Sequence, residues 1–75
     1  MSEEKRKKVD FVEKTLQNFI KSIDDNIESV SYNTVDTASY ELEYVLLLWH
    51  SGYERRVYID GNDHAAIARD VLRIF

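Results

Sequence analysis

The sequence predicts an α+β fold in which a helix, a three-stranded antiparallel meander and a second helix follow one another along the chain. Three patterns lead to this prediction: a helical spacing of apolar residues at the start, alternation in the middle and a second helical spacing at the end. The chain has 75 residues, so we expect a single domain over residues 1–75. The simplest packing places both helices on one face of the sheet.

The first helix is predicted from an apolar stripe whose members recur at steps of three or four residues. The stripe consists of Val9, Val12, Leu16, Phe19, Ile20, Ile23 and Ile27. Ser2 suits the N-cap position, residues 1–8 are expected to fray, and the helix is expected to end near Asp25. Phe11 lies nearly opposite the stripe, because each residue advances about 100° around a helix, so we expect its ring to be exposed.

Three strands are predicted between the helices. The first is indicated by Val30, Tyr32 and Thr34, which alternate with serine and asparagine. The second covers residues 40–48, and its apolar character makes it the central strand of the order 1-2-3. The third covers residues 53–60 and follows a tight two-residue turn at Ser51 and Gly52, because glycine tolerates a positive φ.

The second helix is predicted to begin after the turn formed by residues 60–63. Asn62 or Asp63 suits its N-cap. Its apolar face consists of Ile67, Ala68, Val71, Leu72, Ile74 and Phe75.

The predicted two-residue turn leaves apolar side chains on both faces of the sheet. It places Leu46 opposite Val57 on the helix-facing side and Val45 opposite Tyr58 on the far side. A sheet covered on one side should be polar on its other side, so the far side is expected to bind a protein partner, with a second copy of the chain favoured. The predicted interface consists of Val45, Leu47, Trp49, Tyr58 and Arg56. The alternative is that the fold itself buries this surface.

The charges are unevenly distributed along the chain, and the net charge is −4. A basic block, residues 5–8, precedes a window between Lys21 and Arg55 that contains no lysine or arginine. This window contains Asp24, Asp25, Glu28, Asp36, Glu41 and Glu43. The acidic balance disfavours nucleic acid as a direct ligand.

A solvated polar surface explains these acidic residues, but they also suggest an alternative function. They could mimic phosphates, so that the chain acts as an acidic inhibitor that blocks the nucleic-acid site of a basic host protein. The order of elements resembles that of some acidic bacteriophage inhibitors of host nucleases, although the resemblance covers that order only.

The sequence lacks a recognisable catalytic, metal or cofactor motif. Cysteine is absent, and His50 and His64 are expected at opposite ends of the third strand. Residues 60–63 are rich in side-chain oxygens, as a calcium-binding loop is, but a turn and a helix cap account for them. The chain has two glycines, too few for a glycine-rich phosphate-binding loop. We therefore expect neither an enzyme nor a cofactor. Because the chain has no membrane-spanning apolar run and no signal peptide, we expect a cytoplasmic location.

Overall fold

The computed structural model describes residues 3–59 and 63–75, and it confirms the order helix, three antiparallel strands, helix. The elements are α1 (Glu3–Asp10), a π-helical segment (Phe11–Leu16), α2 (Gln17–Ile23), β1 (Ile27–Asp36), β2 (Glu41–Trp49), β3 (Glu54–Tyr58) and α3 (His64–Leu72). The strands form one sheet in the predicted order β1-β2-β3. In the described residues, no helix is both long and apolar enough to cross a membrane.

The π-helical segment changes which residues of the first helix face the core. The buried positions recur at every fourth residue: Lys8, Val12, Leu16 and Ile20. In a uniform α-helix with 3.6 residues per turn, such positions would rotate steadily around the axis. The i→i+5 bonded turns of a π-helix are wider, so they keep these positions on one side. Phe19 and Ile23 are rotated out of the stripe and are 51% and 52% exposed, so their prediction as core residues is wrong.

The ends of the first helix also differ from the prediction. Residues 3–8 are helical rather than frayed, while the predicted cap, Ser2, lies outside the described residues. The helix ends at Ile23, because Asp24 has an extended backbone with φ −143° and ψ 101°. Ile27, predicted as the last residue of the helical stripe, is instead the first residue of β1 and is 1% exposed.

The predicted register of the β2–β3 hairpin is wrong by one residue. Val45 pairs with Val57, and continuing this register places Trp49 opposite Tyr53. Three residues, 50–52, therefore connect the last paired positions, rather than two. The backbone N–H of Trp49 donates to the carbonyl of Tyr53 across this loop (2.9 Å). Gly52 has φ 95°, the left-handed conformation that ends the common three-residue hairpin loop. Because side chains alternate along a strand, the slip moves the side chains of β2 to the other face of the sheet, whereas Val57 and Tyr58 of β3 keep their predicted faces.

The core lies between the helices and the face of the sheet that contains Val45 and Leu47, both of which are 0% exposed. The buried cluster consists of Val12, Leu16, Ile20, Ile27, Val30, Tyr32, Val45, Leu47, Ile67 and Val71. Side chains of the π-helical segment, α2, α3 and the sheet thus belong to one cluster.

The N-terminus of α3 has the predicted cap. The Asp63 carboxylate accepts a hydrogen bond from the backbone N–H of Ala66 (2.7 Å), which satisfies a donor of the first turn. The other predicted cap, Asn62, and the predicted end of the third strand lie outside the described residues.

Candidate interaction surface

The structure separates the five residues of the predicted interface into two groups. Val45 and Leu47 are completely buried, and Trp49 is half-buried against the core, where its indole N–H donates to the Asp24 carboxylate (3.0 Å). The prediction that these three residues are exposed is therefore wrong, and its cause is the one-residue slip in register. Tyr58 and Arg56 lie on the opposite face and are exposed.

We call the side of the sheet that turns away from the core the outer face. Its residues are Ser29, Ser31, Asn33, Val35, Leu42, Tyr44, Leu46, Leu48, Glu54, Arg56 and Tyr58. An apolar row, formed by Leu42, Tyr44, Leu46 and Leu48, runs along β2. The three leucines of this row are half-buried and do not belong to the core cluster. The sheet is therefore apolar on both faces, as the sequence predicts, but with a different set of residues on the outside.

The side chains of Tyr44, Arg56 and Tyr58 form a compact group on the outer face. The Arg56 guanidinium lies over the Tyr44 ring, 5.0 Å from its centroid, and the Tyr44 and Tyr58 rings are 5.5 Å apart. Hydrogen bonding to Tyr58, together with the neighbouring Tyr44, raises the pKa of Arg56 above its ordinary value. These contacts hold three long side chains in place, which lowers the entropy cost of ordering them against a partner.

Two side chains of the first helix cover the free edge of β1. Gln17 Oε1 accepts a hydrogen bond from the backbone N–H of Val30 (2.9 Å), and Glu13 Oε2 accepts one from that of Tyr32 (3.1 Å). Backbone donors on a free edge otherwise offer a template for strand pairing. The first helix therefore blocks two donors of this edge, a feature that the sequence pattern did not indicate.

The structure does not gather the predicted acidic residues into one face. They form two groups at opposite ends of β1: Asp24, Asp25 and Glu28 at one end, and Asp36, Glu41 and Glu43 at the other. Glu28 and Asp36 are roughly 26 Å apart along the strand, at about 3.3 Å per residue. Lys5 and Lys8 of the basic block form ion pairs with Glu41 (2.6 Å) and Glu43 (2.9 Å). The basic block thus partly neutralises the acidic window.

A polar contact links α1 to the sheet beside the core. Lys8 Nζ donates to both carboxylate oxygens of Glu43, at 2.9 and 3.2 Å, and Lys8 is only 9% exposed. Tyr32 is also 9% exposed. Burial and, secondarily, the Glu43 carboxylate raise the pKa of its hydroxyl above the ordinary value. Both effects favour the neutral phenol.

The two histidines have separate surroundings. His50 is exposed in the hairpin loop, 4.0 Å from Glu28, whereas the His64 ring stacks on Phe11 at 4.4 Å with an interplanar angle of 11°. Phe11 packs against the core and is half-buried, so its predicted exposure is wrong. The reason is that α3 begins on this flank of the first helix, which a helical spacing alone does not reveal.

Metal-ligating side chains do not converge in the part of the chain that the structure describes, where no group of three or more could hold an ion. No protein-family model, curated protein or solved structure matches this chain.

Proposed function

We propose that this chain is a non-enzymatic protein-interaction module that self-associates through the outer face of its sheet. The observation that carries the proposal is the apolar row of β2, which lies on the outer face and does not contribute to the core. Antiparallel sheets that are covered on one side usually present polar side chains on the other. A partly exposed apolar row outside the core is well suited to contact with another protein.

The occupant that fits this face is a second copy of the chain. Two sheets can pack face to face, and a two-fold axis buries both apolar rows at once. The outer face bears one formal positive charge, Arg56, and one formal negative charge, Glu54. The excess negative charge of the chain lies elsewhere, so two outer faces can meet without strong repulsion.

The size of the patch defines the expected strength of the contact. Tyr58 is 52% exposed and Val35 is 38% exposed, whereas Tyr44 is only 9% exposed. With about 150–250 Å² available from a large aromatic side chain, Tyr58 supplies about 100 Å² of the patch, and the half-buried leucines add to it. A standard interface buries about 800 Å² per partner, so the polar residues around the row must complete it. We therefore expect a dissociation constant on the order of micromolar.

Light scattering coupled to size-exclusion chromatography tests this proposal, with the protein loaded at about 5–500 µM to span the expected dissociation constant. The wild-type chain should change from monomer to dimer over this range. Leu46→Glu introduces a charge into the middle of the apolar row and should give a folded monomer at each concentration. The matched control is Ile23→Glu on α2, a residue that is 52% exposed and lies outside the sheet, and it should still dimerise.

Two results would contradict the proposal: a wild-type monomer at the highest concentration, or a Leu46→Glu variant that dimerises as well as the wild type. Far-UV circular dichroism separates loss of association from loss of folding in each variant.

A further inference from the structure

The two edges of the sheet differ in how their backbone groups are satisfied. Tyr53 and Ile59 exchange hydrogen bonds with β2, through Trp49 N–H to Tyr53 O (2.9 Å) and Ile59 N–H to Glu43 O (3.0 Å). In an antiparallel ladder, residues that bond to the neighbouring strand alternate with residues whose N–H and C=O groups point away. Along β3, the backbone groups of Glu54, Arg56 and Tyr58 therefore point away from the sheet.

These outward groups of β3 lack the cover that β1 has. Within residues 3–59 and 63–75, no side chain donates to or accepts from the backbone of Glu54, Arg56 or Tyr58, whereas Gln17 and Glu13 bond to the edge of β1. An uncovered strand edge can accept an extended segment, which adds to the sheet through main-chain hydrogen bonds. The asymmetry makes β3 the edge that is open to such a segment.

The charges on β3 indicate the chemistry of the segment. Arg55 and Arg56 are adjacent and exposed, and because side chains alternate they project on opposite faces of the edge. Neither arginine forms an ion pair with any residue that the structure describes, in contrast to Lys5 and Lys8, which pair with glutamates of β2. An incoming strand with acidic residues opposite these arginines would form two cross-strand charge pairs.

We propose that β3 is a docking edge for an extended acidic segment of a partner protein, which pairs antiparallel with Glu54–Tyr58 as a fourth strand. Glutamates of that segment lie opposite Arg55 and Arg56, and apolar or aromatic residues lie opposite Val57 and Tyr58. The main-chain groups of this site lie at the sheet edge rather than on the outer face, although the side chains of Arg56 and Tyr58 belong to both surfaces.

A second copy of β3 fits this edge less well. Pairing about a two-fold axis at Arg56 would place two arginines directly opposite each other, which is unfavourable. Pairing about Arg55 would place Glu54 opposite Arg56 twice, but it would also place the two Arg55 side chains opposite each other and leave them without a carboxylate partner. Pairing about Val57 avoids that conflict but leaves Arg55 and Arg56 without a carboxylate partner. The acidic segment satisfies the open backbone groups and gives each guanidinium group a carboxylate partner, in addition to the contacts that Arg56 makes with Tyr44 and Tyr58.

Amide NMR of the ¹⁵N-labelled chain tests the proposal with a capped probe peptide, Tyr-Val-Glu-Glu-Lys, whose order matches an antiparallel approach to β3. The peptide should shift the amides of Glu54, Arg56 and Tyr58 and slow their exchange with solvent, with a dissociation constant on the order of 0.1–1 mM. A peptide with both glutamates replaced by glutamine should bind about fivefold more weakly, which corresponds to about 0.5 kcal/mol for each of the two exposed charge pairs.

Variants of the chain locate the contact. Arg56→Glu should weaken binding of the probe peptide by about tenfold, because it replaces attraction by repulsion. Arg73→Glu is the matched control, since Arg73 is an exposed arginine after α3, and it should bind as the wild type does. A probe peptide with N-methylated backbone should not bind, because it cannot form the ladder hydrogen bonds.

Three outcomes would overturn the proposal. The first is absence of saturable shifts at about 5 mM peptide, well above the expected dissociation constant. The second is equal binding of the glutamate and glutamine peptides. The third is protection of the Glu54, Arg56 and Tyr58 amides that grows with protein concentration in the absence of peptide, which would assign the edge to a second copy. Arg55 lies on the other face of β3 from Arg56, so an Arg55→Glu variant separates the two proposals: it should keep the outer-face dimer and weaken binding of the probe peptide.

Discussion

The substitutions Leu47→Ala and Leu46→Ala test the register of the sheet. Leu47 is 0% exposed in the core cluster, whereas Leu46 is half-buried on the outer face. Replacing a fully buried leucine by alanine costs about 2.7–5.0 kcal/mol through lost transfer energy and the cavity left behind. Leu46→Ala should cost about 1 kcal/mol or less, because it removes only partly buried methyl groups. The two-residue turn would predict the reverse order.

Urea unfolding followed by fluorescence of Trp49, the single tryptophan, measures the difference. The protein should be held near 2 µM, so that association through the outer face contributes little. Thermal unfolding gives a second measurement. Since 1 kcal/mol shifts the melting temperature of a domain of this size by about 4–8 °C, Leu47→Ala should lower the melting temperature by at least about 10 °C. Equal losses in the two variants, or a larger loss for Leu46→Ala, would refute the assigned register.

Three further predictions concern the polar contacts. Gln17→Ala should lower the free energy of unfolding by about 1 kcal/mol and speed hydrogen exchange of the Val30 amide, and an unchanged exchange rate would contradict the proposed edge cover. Asp63→Ala should cost about 0.5–2 kcal/mol in thermal unfolding, with Asp63→Asn as the milder control. Tyr32 has a raised pKa in the folded state, so the unfolded chain loses this proton first as the pH rises. Stability should therefore fall above about pH 10, and urea titrations should show a smaller fall for Tyr32→Phe; an identical fall would exclude Tyr32 as its cause.

The sequence was sufficient to predict the order of elements and the strand order, because helical spacing and alternation are both clear in this chain. It was not sufficient to assign the faces of the sheet. Residues 45–49 of β2 are all apolar, so no alternation of apolar and polar residues shows which of them face the core. Only the length of the hairpin loop sets the register there. A loop that ends in Gly52 is compatible with both two and three residues, since glycine is favoured at a left-handed position in each case.

The first helix shows a second limit of the pattern. Phe19 and Ile20 are adjacent, so both lie near the apolar stripe of a uniform α-helix. The π-helical segment determines that Ile20 is buried and Phe19 is exposed. The sequence also did not show that Gln17 and Glu13 bond to the edge of β1. A helical pattern does not indicate which strand edge a polar side chain of the helix will contact.

The unequal edges of the sheet also limit how far copies of this chain can polymerise. A head-to-tail filament would require β3 of one copy to pair with β1 of the next, and repetition of that contact would never close. The hydrogen bonds from the Val30 and Tyr32 amides to Gln17 and Glu13 remove donors that such a contact needs. The hydrogen bonds of these two side chains therefore oppose strand-by-strand growth of a filament through the β1 edge.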